Sequence, residues 1–153
     1  MTENRLHLSA DTLDVLTRQM TVAVTRCSRD FRYLWANQKY ADWLRRPLLN
    51  IVGHKIADVL GPEAFESLLP RFKQVLAGED ASYEEEINLS GIGKRWVSAT
   101  LTPTFESGGS VDGWVAVVLD ITEKKREEDA RFRHAGERIK LPSTSIRRQT
   151  GPR

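Results

Sequence analysis

The most apolar stretch of the chain, Gly113 to Ile121 (GWVAVVLDI), stops abruptly against a run of charges that begins after Thr122. It has the length of one strand and falls far short of the roughly 20 residues that a membrane-spanning helix needs. A run so rich in Val and so poor in polar residues is expected at the centre of a sheet, where both faces are covered. The rest of the chain must then supply its neighbours.

Candidate neighbours are present on both sides in sequence. Thr21 to Ser28 (TVAVTRCS) is β-branched, Arg29-Asp30 reads as a turn, and Phe31 to Ala36 sets Phe31, Tyr33 and Trp35 against Arg32, Leu34 and Ala36. Two such runs around a tight turn predict a hairpin. Further on, Tyr83, Glu85, Ile87 and Leu89 alternate with Ser82, Glu84, Glu86 and Asn88. Trp96 to Phe105 places Val97, Ala99 and Leu101 on one face and Trp96, Ser98 and Thr100 on the other. The glycine-rich connectors Gly91-Ile92-Gly93 and Ser107 to Ser110 suit hairpins.

Helices are expected between these strands. Asn37 stands at an N-cap position before QKYADWLRR, whose Tyr40, Trp43 and Leu44 share a face, and Pro47 is expected to end that helix. A short helical segment from Gly53 to Leu60 stops at Gly61-Pro62. Phe65, Leu68, Leu69, Phe72, Val75 and Leu76 then recur at helical spacing up to Gly78-Glu79-Asp80, with Pro70 expected to kink or split the helix. Ser9 caps an N-terminal helix through Met20, with Leu13, Leu16 and Met20 on one face. The predicted fold class is α+β: a five-stranded antiparallel sheet with short helices on one face. Its parts are a cap helix over 1–20, a sheet domain over 21–121, a charged helix over 122–139 and a basic, disordered tail over 140–153.

Charge supports that division. The net charge of +2 comes from 23 basic and 21 acidic residues in 153, yet seven of the basic ones and only Glu137 of the acids lie in 131–153. The preceding residues therefore hold 16 basic and 20 acidic side chains, a net of −4. With 29% charged and 40% hydrophobic residues, the profile is that of a soluble globular domain. The N-terminus has no secretory apolar region, and a single cysteine, Cys27, excludes an internal disulfide and a multi-cysteine zinc site. His7, His54 and His134 fit no metal-ligand spacing. A cytoplasmic location and no metal are expected.

The element order, with the residues at its joints, resembles the PAS domain, the sensory and dimerisation module of bacterial signalling proteins. The matching segments are the hairpin into YLWANQKYADWL, GHKIADVLGPEAFESLLPRFKQVLAGE, KRWVSATLTPTFE and GWVAVVLDITEKKREE, spanning about Thr21 to Glu128. Asp120-Ile121-Thr122 is similar to the D-I-T signature at the output boundary of that family, which implies that these three residues relay signal. On physical grounds alone, a carboxylate between a strand end and a helix start can accept free helix N–H groups or pair with an arginine. Asn37, which opens the third segment of the family pattern, is expected to be a structural cap.

The resemblance also frames the cofactor question. The long helix has no histidine to hold a haem iron, and Cys27 lacks the neighbours of a flavin-reactive or chromophore-bearing cysteine. His54 reads as a solvated or capping residue. Trp43, Phe72, Trp96 and Trp114 are the pocket candidates, either as core or as a platform for an unidentified small molecule. No nucleophile–base pattern or phosphate-cradling glycine loop occurs, and His134-Ala135-Gly136-Glu137 is a poor match to a phospho-accepting motif, so no catalytic role is expected. Arg131 to Ala135 looks like the opening of a second PAS module, which implies a truncated or stand-alone relative of a tandem-PAS sensor histidine kinase of the two-component type.

The expected partners are a second copy of the chain, forming a homodimer, or a downstream kinase or signalling domain. The runner-up role is a ligand-free dimerisation or docking module, separable from sensing by native mass spectrometry with an absorption spectrum. Nucleic-acid binding through the basic tail ranks below both, since no recognised binding motif accompanies the arginines.

Overall fold

In a computed structural model of the chain, residues 22–140 are described. The chain divides into two compact units, Met1–Asp120 and Ile121–Arg153. The predicted N-terminal helix and the distal tail lie outside the described residues.

The first unit contains strands β1 (Ala23–Ser28), β2 (Tyr33–Ala36), β3 (Ala81–Leu89), β4 (Gly93–Phe105) and β5 (Val111–Asp120). Between β2 and β3 come helices α1 (Gln38–Leu44), α2 (Ile56–Leu60) and α3 (Pro62–Leu76), with a 3-10 turn at Leu48–Asn50. The five strands form one antiparallel sheet in the order β2-β1-β5-β4-β3. The apolar run at 113–121 thus supplies the central strand, as its composition requires. Alternation directs Trp114, Ala116 and Val118 of β5 and Val97, Ala99 and Leu101 of β4 into the core. α3 contributes Ala64, Leu68, Phe72 and Val75 to the same core, one stripe at helical spacing.

The first hairpin differs from the even alternation expected of Phe31, Tyr33 and Trp35. Cys27 pairs with Tyr33 but Arg26 with Trp35, so the register shifts by one residue at a bulge. A shift of one residue turns a side chain to the other face. Tyr33 therefore enters the core, whereas Trp35 packs with Val24, Val22 and Val115 in a separate cluster on the opposite face. β2 also starts later than predicted, because Phe31 takes a left-handed conformation at φ 65°. Its ring compensates by packing against Phe65, Phe72 and Trp114 at centroid distances of 5.5, 6.2 and 6.2 Å.

Two helix boundaries also need correction. α1 ends before Pro47: Arg45 adopts the left-handed conformation at φ 59° and its N–H closes on Ala41 and Asp42. Pro70 does not split α3, which runs unbroken from Pro62 to Leu76. Pro70 and Glu66, whose carbonyl loses its helical partner, are both exposed, so water solvates the orphaned oxygen. Pro70→Ala should restore that bond and raise stability by about 1–3 kcal/mol in urea denaturation; an unchanged or lower midpoint would contradict this account.

The second unit is described over Ile121 and helix α4 (Thr122–Lys140), whose first turn carries Glu123. The Ile121 carbonyl accepts the Lys125 N–H at 2.9 Å. Among the described residues no helix is long and apolar enough to cross a membrane.

Candidate functional site

Two features of the first unit lie close together: an interior cavity and a polar junction at the end of β5. The cavity measures about 40 Å³ and lies between the sheet and the helices. Phe72 and Trp114, both predicted pocket residues, line it and stack on each other at 4.8 Å and 22°. Their neighbours around the cavity include Thr25, Cys27, Tyr33, Tyr40 and Tyr83.

These polar neighbours are held neutral. Burial pushes the Cys27 thiol up to about 12, outweighing the Thr25 hydroxyl beside it. Burial likewise raises Tyr33 well above the ordinary phenol range, with Tyr40 adding to the effect, and it raises Tyr40 and Tyr83 too. The Tyr33 and Tyr40 hydroxyl oxygens are 2.5 Å apart. Sites that bury drug-sized ligands run from about 300 Å³, several times the volume of this cavity. The buried Tyr33–Tyr40 pair escaped sequence reasoning, although tyrosines at the core face of a strand and a helix were the available signal.

Asn37 locks α1 to the sheet. It is 4% exposed; its Oδ1 accepts from the N–H groups of Tyr40 and Val24, both at 3.1 Å, and its Nδ2 donates to the Val22 carbonyl at 3.0 Å. It is the cap that the sequence predicts, and it ties β1 to α1 as well.

The junction gathers around Asp120, the last residue of β5. Its Oδ2 accepts from the Trp43 indole Nε1 at 2.8 Å and from the Arg95 Nε at 2.8 Å. The ionic pair is partly screened, with side chains 31% exposed for Arg95 and 19% for Asp120. Arg95 reaches Asp120 because strand pairing sets Val97 opposite it and alternation puts residues 95 and 97 on one face. An open cleft of about 430 Å³ lies beside the junction, lined by Lys39, Asp42, Trp43, Leu119 and Asp120 among others.

Of the four pocket candidates, the structure brings two to the cavity. Trp43 stands at the junction instead, one helical turn from Tyr40. Trp96 lies away from the cavity because alternation along β4 turns it to the face opposite Val97, across from Glu86. Ile121 is half-buried, Thr122 begins α4, and His54 is exposed. Among the described residues no cluster of His, Cys, Asp or Glu is arranged to hold a metal.

A five-stranded antiparallel sheet in which β1 pairs with the last strand, β2 forms the edge and helices are inserted between β2 and β3 narrows the family. A family model described as the PAS fold matches residues 17–126. The chain belongs to the PAS fold family. As a PAS domain it is a sensory or signalling module.

Similar solved structures include the PAS domain of BvgS from Bordetella pertussis, at 25% identity and TM-score 0.61 over 84% of this chain and 96% of that one. The PAS domain of a Colwellia psychrerythraea protein matches at 13% identity and TM-score 0.59, over 72% of this chain and 99% of that one. A phage VqmA–DPO complex matches at 19% identity and TM-score 0.60, over 86% of this chain and 59% of that one. The last two likenesses concern the PAS fold alone. No curated protein sequence matches the chain.

Proposed function

We propose that this PAS domain is a cytoplasmic, non-catalytic input module of a two-component, sensor-histidine-kinase type system, relaying a ligand- or partner-induced change through Asp120-Ile121-Thr122 into α4. One observation carries the reading. A single carboxylate oxygen on the last residue of the central strand is bonded both to α1, through Trp43, and to β4, through Arg95. A displacement of the helical layer against the sheet therefore alters the bonds of Asp120, and the helix begins two residues later. The mechanism is a shift between packed arrangements, biased by whatever binds one of them better.

Asp120→Asn keeps the shape of the side chain and removes the charge that holds Arg95 and strengthens the Trp43 bond. Amide hydrogen exchange across 122–130 should speed up at least threefold while exchange in the centre of β4 and β5 stays as in the wild type. Unchanged exchange over 122–130 would refute the coupling.

The apolar side chains on the outer sheet face favour the second reading, ligand-free dimerisation or docking. Val117 is 37% and Leu119 43% exposed there, continuing the Val24–Trp35 cluster.

A further inference from the structure

Charge is divided unevenly over the first unit. Residues 29–55, from the β1–β2 turn to the start of α2, hold six basic and two acidic side chains, a net of +4. Residues 56–120 hold four basic and eleven acidic ones, a net of −7. Sheet order sends β2 and β3 to opposite edges, roughly 19 Å apart. Salt screens charges over about 8 Å at physiological strength. A surface approaching the β2 edge therefore meets the cations, while Glu84, Glu85 and Glu86 of β3 lie too far away to oppose it.

The same edge exposes apolar side chains. Leu48 packs against the core and Ile51 is fully buried, so the three-residue period of the 3-10 turn leaves Leu49 85% and Val52 40% exposed on its outer side. The turn is fastened to β2: the Gly53 N–H donates to the Tyr33 carbonyl at 2.7 Å, and the Tyr33 N–H to the His54 carbonyl at 3.0 Å. Leu34, which the bulge leaves without a partner on β1, is 49% exposed on that strand. Of the nearby charges, Arg32 is held by Asp30 at 3.6 Å and Asp30 also feels Lys55, while Asp42 accepts from Gln38. Arg45 and Arg46, just before the turn, enter no ion pair among the described residues.

One exposed leucine is ordinary, but apolar side chains fringed by unpaired cations are the pattern of a peripheral lipid contact. Shape favours lipid over an acidic protein. Neither the interior cavity nor the open cleft includes Leu34, Leu49 or Val52. A protein partner is gripped through complementary packing, whereas a bilayer moulds itself round a protruding corner. We propose that this corner docks the domain peripherally on an anionic bilayer, with Leu49 and Val52 entering the headgroup region and Arg45 and Arg46 against lipid phosphates. Such docking needs no membrane-crossing helix and does not depend on Asp120 being the output joint.

The basic stretch 131–153 would also be drawn to anionic lipid, so the experiment has to locate the contact. The probes are vesicles of phosphatidylcholine with about one-third phosphatidylglycerol, and vesicles of phosphatidylcholine alone, cosedimented with the full chain. The mixed vesicles should bind at least tenfold tighter at about 0.1 M salt, and most of that advantage should vanish by about 0.5 M. Arg45→Gln/Arg46→Gln should weaken binding at least tenfold, since each cation near an anionic surface contributes about fivefold. Leu49→Ser/Val52→Ser should weaken it at least fivefold while the urea midpoint stays near wild type, because both side chains are exposed.

A label at the corner gives the location directly. Cys27 is 3% exposed and its thiol is pushed up to about 12, so in Leu49→Cys an environment-sensitive thiol dye enters at position 49 alone. Its emission should rise at least twofold on mixed vesicles, and the same dye in Ser82→Cys, on the β3 edge, should stay unchanged. Binding that survives both paired substitutions, with no rise at position 49, would overturn the proposal and assign the contact to the basic stretch. No binding to mixed vesicles at low salt would overturn it in favour of an acidic protein partner.

Discussion

Gly113→Ala should remove most of the stability of the sheet. A Cβ at position 113 would lie 2.0 Å from the Cys27 carbonyl oxygen, 3.0 Å from its carbon and 3.1 Å from the Ser28 Cα. All three are main-chain atoms, so no side chain can swing aside. Gly113 pairs with Ser28 on β1 and Thr104 on β4, which places the clash in the middle of the sheet. Relief requires β1 and β5 to separate by more than 1 Å at their paired ends, giving up ladder bonds and the packing of Trp114 next door. A loss of about 4 kcal/mol or more is expected, against a typical domain margin of about 5–15 kcal/mol. Urea denaturation followed by tryptophan fluorescence measures it; a loss under about 1 kcal/mol would mean that the strands tolerate a wider spacing than their register implies.

Asn37→Ala should rank second, at about 3–5 kcal/mol. The substitution orphans the N–H groups of Val24 and Tyr40 and the carbonyl of Val22, at a position that is 4% exposed. Each buried unpartnered group costs about 1–3 kcal/mol, whereas an ordinary exposed cap is worth about 1 kcal/mol. The difference is the measurable signature of a residue that joins two elements. Asn37→Asp keeps both accepting interactions but sets a carboxylate oxygen against the Val22 carbonyl in a buried place, so it too should be clearly destabilised. A loss near 1 kcal/mol for Asn37→Ala would show that water reaches the three groups and that the residue acts as a cap alone.

Much of the fold was legible where the sequence signal is local. Composition placed the 113–121 run at the sheet centre, alternation chose the core faces of β3 and β4, and Asn37 announced the start of α1. The misses share a cause: each depends on something the period of a strand or helix does not encode. The bulge that separates Tyr33 from Trp35 is a property of pairing with β1, not of β2 itself. Arg45 stops α1 in a left-handed conformation that sequence usually signals with Gly or Asn, and Pro70 is tolerated because of where it faces. At the site, Asp120 was singled out by its place at a joint, and an arginine partner was anticipated in kind. That the partner is Arg95, and that Trp43 joins it beside the open cleft and not in the interior cavity, follows from strand register and helix orientation, which no local pattern of residues 43, 95 and 120 records.

The sheet order has a temporal meaning as well. β5 comes last along the chain yet stands between β1 and β4, which do not pair with each other. Until it emerges from a ribosome, the growing polypeptide owns two separate hairpins and a set of amphipathic helices with half a floor to rest on. Closing the sheet means bringing together segments as distant as Ser28 and Gly113, a non-local step that slows folding. The strand that completes the sheet is the one that ends in Asp120, so the carboxylate reaches its partners at the same moment the domain becomes whole.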